Sequence, residues 1–92
     1  MAITNYGLRP VTTSKVTMSG SSAQSSAMGA SIQYARLVSD ANCHYAIGTN
    51  PTATTSSVYL PAGEIEVIKI SEGEKVAGIC ASGNLYVTSL TE

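Results

Sequence analysis

The sequence predicts an all-β protein: a single compact β-sandwich of seven to eight short antiparallel strands with an extended N-terminal arm. Three observations favour this class. Short runs of alternating apolar and polar residues are interrupted by Gly, Pro, Asn or Ser every 8–12 residues or so, roughly as in a sandwich or barrel. The one stretch with helical spacing, residues 25–37, contains Gly29 and several β-branched or aromatic residues. The length of 92 residues suits one domain.

The N-terminal part divides into an arm and a first strand. Residues 1–10 are expected to form the arm, which ends at Arg9-Pro10 because proline has no backbone donor. The sandwich domain is expected to span residues 11–92. Within it, residues 11–18 end in apolar–polar alternation, which predicts a half-buried strand.

The next elements are a flexible segment and a hairpin. Residues 19–29 are mostly small and polar, which is typical of a flexible segment. Residues 30–38 predict a strand with Ile32, Tyr34 and Val38 on one face and Leu37 on the other. The turn composition of 39–42 then predicts a hairpin with a strand over 43–47.

The C-terminal half alternates strands with turns. Asn50-Pro51 initiates a loop over 49–57. The segment 64–70 has the strongest strand signal, and its alternation slips at Val67-Ile68, which indicates a bulge or two partly covered faces. Gly78 is expected where a bulky neighbour approaches. The strands predicted here cover 58–60, 64–70, 75–81 and 85–90, the last pairing back on its predecessor. Turn signals do not fix crossovers, so a jelly roll and an immunoglobulin-like Greek key both fit.

Composition excludes several function classes. Charged residues make up 12% of the chain and the formal net charge is −1, so no basic stripe is expected to bind nucleic acid. The sequence has no apolar run long enough for a transmembrane helix, and no secretory signal, so we expect synthesis in the cytoplasm and no membrane partner. The five aromatic residues are all Tyr, a type enriched at protein interfaces.

The reactive side chains predict no active site. His44 is the only histidine, and its neighbour Cys43 is expected on the opposite face of the same strand, which disfavours a shared metal. The glutamates near 64–74 fit a solvated face and a turn better than a glycosidase pair. We therefore predict no catalytic residue, no metal and no cofactor. Cys43 and Cys80 are expected to be free, with a disulfide as the disfavoured alternative.

Four short motifs resemble a group of small tailed-bacteriophage virion proteins. They are Gly48-Thr49-Asn50-Pro51-Thr52-Ala53, Pro61-Ala62-Gly63, Gly73-Glu74-Lys75 and Leu85-Tyr86-Val87-Thr88. The resemblance covers roughly residues 32–90. Proteins of this group are small β-sandwiches, commonly head decoration (cement) proteins. It implies a non-enzymatic capsid subunit on the virion surface that bridges neighbouring capsomers, binds the major capsid protein or another virion protein, and forms a homo-oligomer, with a trimer favoured.

The partner contact is expected at the arm, the Ser-rich segment 19–29 and the 49–57 loop. An extended arm has reach and can add a strand to a partner sheet. The interface residues predicted on this basis are Ala2, Ile3, Tyr6, Leu8, Arg9, Asn50, Pro51 and Tyr59. Two alternatives remain: a head–tail or fibre component, and a carbohydrate-binding sandwich in which Tyr rings stack on sugars and Asn50 and Asp40 bond hydroxyls.

Overall fold

The chain forms eight β-strands in two antiparallel four-stranded sheets. The structure is a computed structural model that describes residues 8–91, and no helix occurs among them. The all-β sandwich prediction is confirmed. The strands are β1 (Arg9–Met18), β2 (Ala23–Gln24), β3 (Tyr34–Ser39), β4 (Cys43–Gly48), β5 (Val58–Leu60), β6 (Glu66–Lys69), β7 (Lys75–Ile79) and β8 (Gly83–Thr91).

The strand order is that of a jelly roll. Sheet A has the order β1-β8-β3-β6 and sheet B the order β2-β7-β4-β5. The first strand pairs with the last, the second with the seventh, the third with the sixth and the fourth with the fifth. The chain is therefore one long hairpin folded over on itself, which generates two Greek keys. An immunoglobulin-like order would place the first two strands in one sheet, whereas β1 and β2 lie in different sheets.

Two predicted hairpins are wrong. β3 belongs to sheet A and β4 to sheet B, so the 39–42 turn crosses between sheets instead of closing a hairpin. The same holds for the turn between β7 and β8. The Ser39 hydroxyl stabilises the first crossing by donating to the Ala41 carbonyl at 2.6 Å. Composition identified both turns correctly, but a turn that changes sheets uses the same residue types as a hairpin turn.

The core lies between the sheets and is built from alternate residues of each strand. In β3 the buried positions are Ala35, Leu37 and Ser39, while Tyr34 and Val38 are half-buried on the outer face. Within β3 the predicted division is confirmed: Leu37 lies on one face, which points inward, and Tyr34 and Val38 lie on the other. Gly78 lies where a Cβ would come within 2.9 Å of Leu85 and Met18 side-chain atoms, so the predicted close approach is confirmed.

Three predicted segments have different bounds. The 64–70 strand shrinks to β6, which pairs with β3 in unbroken register, so no bulge exists at Val67-Ile68. The strand predicted from residue 30 begins at Tyr34. The 19–29 segment contains β2 and is held down: the Ser25 N–H donates to the Val76 carbonyl at 2.8 Å and the Met28 N–H to the Glu74 carbonyl at 2.8 Å.

Strand β1 begins at Arg9, two residues before the predicted first strand and inside the predicted arm. Arg9 pairs with Thr91 and Pro10 with Leu90, so both belong to the sandwich. A bulge follows, since the register shifts between Pro10 and Thr13. Within the bulge the Thr12 N–H donates to the Ser89 hydroxyl, which donates back to the Thr12 carbonyl, both at 3.2 Å. Residues 1–7 of the predicted arm lie outside the described residues.

One side-chain hydrogen bond links the two sheets. The Tyr45 hydroxyl of β4 in sheet B donates to Glu66 Oε1 of β6 in sheet A at 2.6 Å. Tyr45 is only 6% exposed. Its burial, and then its bond to Glu66, raise the pKa of Tyr45 well above its usual value of 10.0. The bond therefore ties β4 to β6 across the sandwich.

Replacing Tyr45 with Phe tests this link. We expect Tyr45→Phe to lower the free energy of unfolding at neutral pH by about 1–2 kcal/mol, because a hydrogen bond to a charged group is lost. Tyr45 has a higher pKa folded than unfolded, so its contribution is fully present below about pH 10 and is lost as the pH rises further. Urea denaturation across roughly pH 9–11.5 should therefore show a shallower decline for Tyr45→Phe than for Tyr59→Phe, an exposed control. Equal slopes would contradict the link.

Candidate functional site

The 49–57 loop covers the middle of the outer face of sheet B. Ala23 of β2 packs against the core, so Ser22 and Gln24 point outward. The Ala53 N–H donates to the Ser22 hydroxyl at 2.8 Å. Gln24 Nε2 donates to Asn50 Oδ1 at 2.9 Å and to the Pro51 carbonyl at 2.8 Å.

The loop thus leaves β4 and reaches β2 by crossing β7, the strand between them. Ala53 of the loop is 2% exposed, and Ala77 of β7 is 0% exposed. Ala77 lies between the inward-facing Val76 and Gly78, so its side chain points away from the core and is covered on the outer face. The loop is therefore a fixed second layer on sheet B.

An aromatic row remains exposed at the other end of the same face. Tyr59 of β5, His44 of β4 and Ile79 of β7 lie side by side in register. The Tyr59 and His44 ring centroids are 5.2 Å apart at an interplanar angle of 52°. Tyr59 is 49% exposed and borders an open cavity of about 380 Å³ that Asn42 and Thr55 also line.

The outer face of sheet A carries three cations. Lys15 of β1 pairs with Tyr86, Arg36 of β3 lies across from Thr88, and Lys69 of β6 pairs with Tyr34. All of these positions alternate with core residues, so their side chains share the outer face. Lys69 Nζ sits 5.2 Å from the centroid of the Tyr34 ring. We call Lys15, Tyr34, Arg36, Lys69 and Tyr86 the cationic face.

Every charged side chain that points outward from the described strands of sheet A is a cation. Among the strand positions of residues 8–91 that point outward from sheet A, none is Asp or Glu. Glu66 points inward to Tyr45, and Glu72 and Glu74 belong to the turn before β7. Within the described part of the chain, the buried Nε of Arg36 has no hydrogen-bond partner. A buried guanidinium nitrogen is normally satisfied, so this nitrogen is an exception.

The N-terminal segment enters the sandwich on the cationic face. Leu8 is half-buried and lines a shallow depression there with Tyr34, Val67 and Lys69. In the strand order of sheet A, β8 separates β1 from β3 and β6. Leu8, which precedes β1, therefore reaches across β8 to the outer face of β3 and β6. Any contact made by the preceding residues starts from this face.

The reactive side chains are arranged for structure. Across residues 8–91 no three His, Cys, Asp or Glu side chains are grouped closely enough to hold a metal ion. Cys43 points into the core and His44 out of it, as expected for strand neighbours. The Asp40 carboxylate accepts from the Asn84 backbone N–H at 2.7 Å and from its side-chain amide at 3.1 Å. These bonds hold the pKa of Asp40 below its usual value and occupy the carboxylate.

No family model, curated protein or solved structure matches this chain. The resemblance to phage virion proteins therefore stays a prediction. The described residues contain no helix that could span a membrane. Functional assignment consequently rests on the chemistry of the two outer faces.

The predicted interface residues do not form one surface. Leu8 and Arg9 lie with sheet A, whereas Asn50, Pro51 and Tyr59 lie on sheet B. Asn50 is exposed and its side-chain oxygen accepts a hydrogen bond from Gln24, whereas Pro51 is buried. Tyr59 is exposed as a contact residue requires. The remaining three, Ala2, Ile3 and Tyr6, lie outside the described residues.

Sequence reasoning missed the cationic face. Its three cations come from three strands far apart in the chain, and only the sheet register brings them together. The available signal was the alternation around each cation, which places Lys15 opposite in phase to Val16, and Arg36 opposite in phase to Leu37. That signal gives an outward direction but does not say which strands are neighbours.

Removing the Gln24 side chain should release the loop. Gln24→Ala deletes the two hydrogen bonds to residues 50 and 51 and is expected to cost about 0.5–1.5 kcal/mol of global stability. The larger effect should be local: faster amide hydrogen exchange in peptides covering 49–57, with strands of sheet A unchanged. The control is Gln33→Ala, an exposed glutamine in the β2–β3 connection. Equal exchange of the loop in the two variants would show that Gln24 does not anchor it.

Proposed function

We propose that this protein is a non-enzymatic structural subunit of a phage particle: a capsid decoration protein that binds the shell through its cationic face and bridges neighbouring capsomers. The observation that supports it most is the cationic face itself. A rigid sheet presents three cations and two tyrosines on one side, and no described strand position of sheet A points a carboxylate outward. The pKa of Asp40, in the turn after β3, is lowered first by its hydrogen bonds to Asn84 and also by the nearby Lys15.

The chemistry of this face suits an acidic protein surface. Arg36 is half-buried, and a guanidinium can pair with a carboxylate through two parallel hydrogen bonds. Tyr34 and Tyr86 provide half-buried rings, a residue type enriched in interface cores. Lys15 and Lys69 flank them and are exposed, so they can steer the approach of an acidic partner.

The same face is a poor match for nucleic acid. Proteins that bind a duplex through its backbone typically make about 6–10 phosphate contacts. Three cations on one face fall short of that number, and the chain as a whole has a net charge of −1. A protein partner with clustered carboxylates is therefore the better fit.

The arm adds reach to the proposal. Residues 1–7, if fully extended, span at most about 25 Å, and Leu8 places their attachment point on the cationic face. An arm and a face that engage the same shell would act as linked weak contacts, and many copies per particle would multiply their effect. Homo-oligomerisation, with a trimer favoured, belongs to this proposal as well.

Charge reversal tests the face. The double variant Lys15→Glu/Lys69→Glu should lose roughly tenfold or more in binding to shells purified from the source of the sequence, measured by co-sedimentation. The control Lys75→Glu reverses one charge on sheet B, beside Gln24, and is compared with the single variant Lys69→Glu. Wild-type binding should also weaken as salt rises, because exposed charge pairs are screened.

Three results would count against the proposal. Equal losses for Lys75→Glu and Lys69→Glu would mean that only net charge matters. Undiminished binding of the double variant would remove the cationic face from the contact. Cryo-electron microscopy of the particles would decide the location: density at the portal, tail or fibres would support the other virion alternative instead.

The exposed Tyr59 row favours a second candidate, carbohydrate binding. A half-exposed ring beside His44 and an open cavity can stack on a sugar, and Asn42 and Thr55 supply polar atoms at the rim. Asp40 and Asn50, the residues first expected to bond hydroxyls, are already engaged by Asn84 and Gln24. If this candidate is right, a glycan array should show saturable binding that Tyr59→Ala abolishes and Tyr86→Ala, on the other sheet, retains. An array without any specific signal would reject it.

A further inference from the structure

Two thiols face each other at one end of sheet B. The antiparallel ladder between β4 and β7 pairs Tyr45 with Gly78 and His44 with Ile79. The ladder ends at His44 and Ile79, and extending its register by one residue places Cys80 opposite Cys43. Directly opposed residues of an antiparallel ladder have Cα atoms roughly 4.5–5.5 Å apart. That separation lies within the range of about 4.4–6.8 Å that a disulfide spans.

Both side chains point to the same side of the sheet. Cys43 is in phase with buried Tyr45, and Cys80 is in phase with Gly78, whose Cβ would point at the core residues Leu85 and Met18. The two cysteines share the same packing environment, since Cys43 is a core residue and Cys80 packs against the core. Parallel Cβ directions are the second requirement of a cross-strand disulfide.

The two sulfur atoms also meet the same corner of sheet A. The Ser39 hydroxyl lies beside the Cys43 thiol. The Cys80 sulfur is 3.3 Å from the point that a Cβ on Gly83 would occupy. Ser39 ends β3 and Gly83 begins β8, which are neighbouring strands. The absence of a side chain at Gly83 leaves room for the Cys80 sulfur at this corner.

We infer that Cys43 and Cys80 are a redox-active pair that closes into a cross-strand disulfide by exchange with a low-molecular-weight disulfide such as oxidised glutathione. Both thiols are free in the structure, which represents the reduced form.

The two cysteines have different roles in the exchange. Cys80 is half-exposed whereas Cys43 is buried, so a small oxidant reaches Cys80 more readily. Cys43 is 1% exposed, and burial raises the pKa of its thiol. Cys80 is therefore the attacking residue, and Cys43 is the resolving residue that reacts only with its neighbour.

The exchange proceeds in two steps. The Cys80 thiolate attacks one sulfur of the oxidant, forms a mixed disulfide and releases one thiolate. Cys43 then loses its proton to that thiolate or to water and attacks the Cys80 sulfur, which expels the second thiolate. The dithiol loses two electrons and two protons overall, and the oxidant is reduced to two thiols.

The new bond would join β4 to β7 and close a loop that contains β5 and β6. Such a cross-link restricts the unfolded chain, so the oxidised form should melt roughly 10 °C higher than the reduced form. The bond lies on the inner face of sheet B, away from the cationic face. It is therefore independent of the proposed function.

The test uses the full chain under non-denaturing conditions. The protein is incubated with oxidised glutathione, alkylated and examined by intact mass and peptide mapping. The expected result is a loss of two hydrogens, a Cys43–Cys80 cross-linked peptide and a higher Tm that a reductant reverses. Stable glutathione adducts without the cross-link, disulfide-linked dimers or no reaction would each overturn the inference.

Two variants separate the roles. Cys43→Ser should accumulate a stable glutathione adduct at Cys80, because the resolving thiol is gone. Cys80→Ser should react far more slowly, because the remaining thiol is buried. Equal adduct formation by the two variants would overturn the assignment of attacking and resolving residues. If a variant fails to fold, the cross-link is still tested on the wild-type chain.

Discussion

The rest of the structure depends on the docking of β8 into the centre of sheet A. This strand pairs with β1 on one side and β3 on the other, and it supplies Leu85 and Val87 to the core. Its contact with β1 joins residues far apart in sequence: the Thr13 and Thr88 hydroxyls share a 2.9 Å hydrogen bond across 75 positions. Both Greek keys close only when this last strand is in place. Strand pairs between residues so far apart in sequence form slowly, because the chain loses conformational entropy in closing the loop before the new contacts stabilise it.

The local elements could be predicted from the sequence, but their partners could not. Asn50-Pro51 and Pro61-Ala62-Gly63 lie in connections between strands, as predicted, and the runs beside them contain strands. Pro10 and Gly48, by contrast, are strand residues. The residues at 39–42 have the composition of a turn, but that composition does not indicate whether the next strand stays in the same sheet. β3 shows a second limit. Tyr34 and Val38 have more apolar surface than Ala35, yet the smaller residue is in the core, because the position opposite decides what fits.

The candidate site was less predictable than the fold for the same reason. Tyr59 could be selected from its residue type and its place beside the loop. The cations Lys15, Arg36 and Lys69 could not, since each is unremarkable within its own strand and they become a group only through the register of three ladders. Residues 19–29 show the reverse error. Their composition suggests flexibility, but backbone bonds to Val76 and Glu74 fix them against β7 and the turn before it.

The two outer faces divide the work of the molecule. On sheet B, the 49–57 loop covers the middle of the outer face, and the row of Tyr59, His44 and Ile79 stays uncovered at one end. On sheet A, Lys15, Arg36 and Lys69 lie on the outer face. A chain with only 12% charged residues can still present a marked electrostatic surface if its cations are gathered in one place.

The bulge in β1 has a consequence for how densely copies of this protein can be packed. β1 is a ten-residue edge strand, the kind of edge that invites open-ended polymerisation through continuous sheets. Val11 and Thr12 break its straight hydrogen-bonding line, because Ser89 takes up the Thr12 backbone groups, and Pro10 lacks a donor. Only Thr13–Met18 remains regular, and Lys15 near its middle would bring like charges together if two copies paired there antiparallel. Crowded copies should therefore stay discrete particles and not grow into fibres.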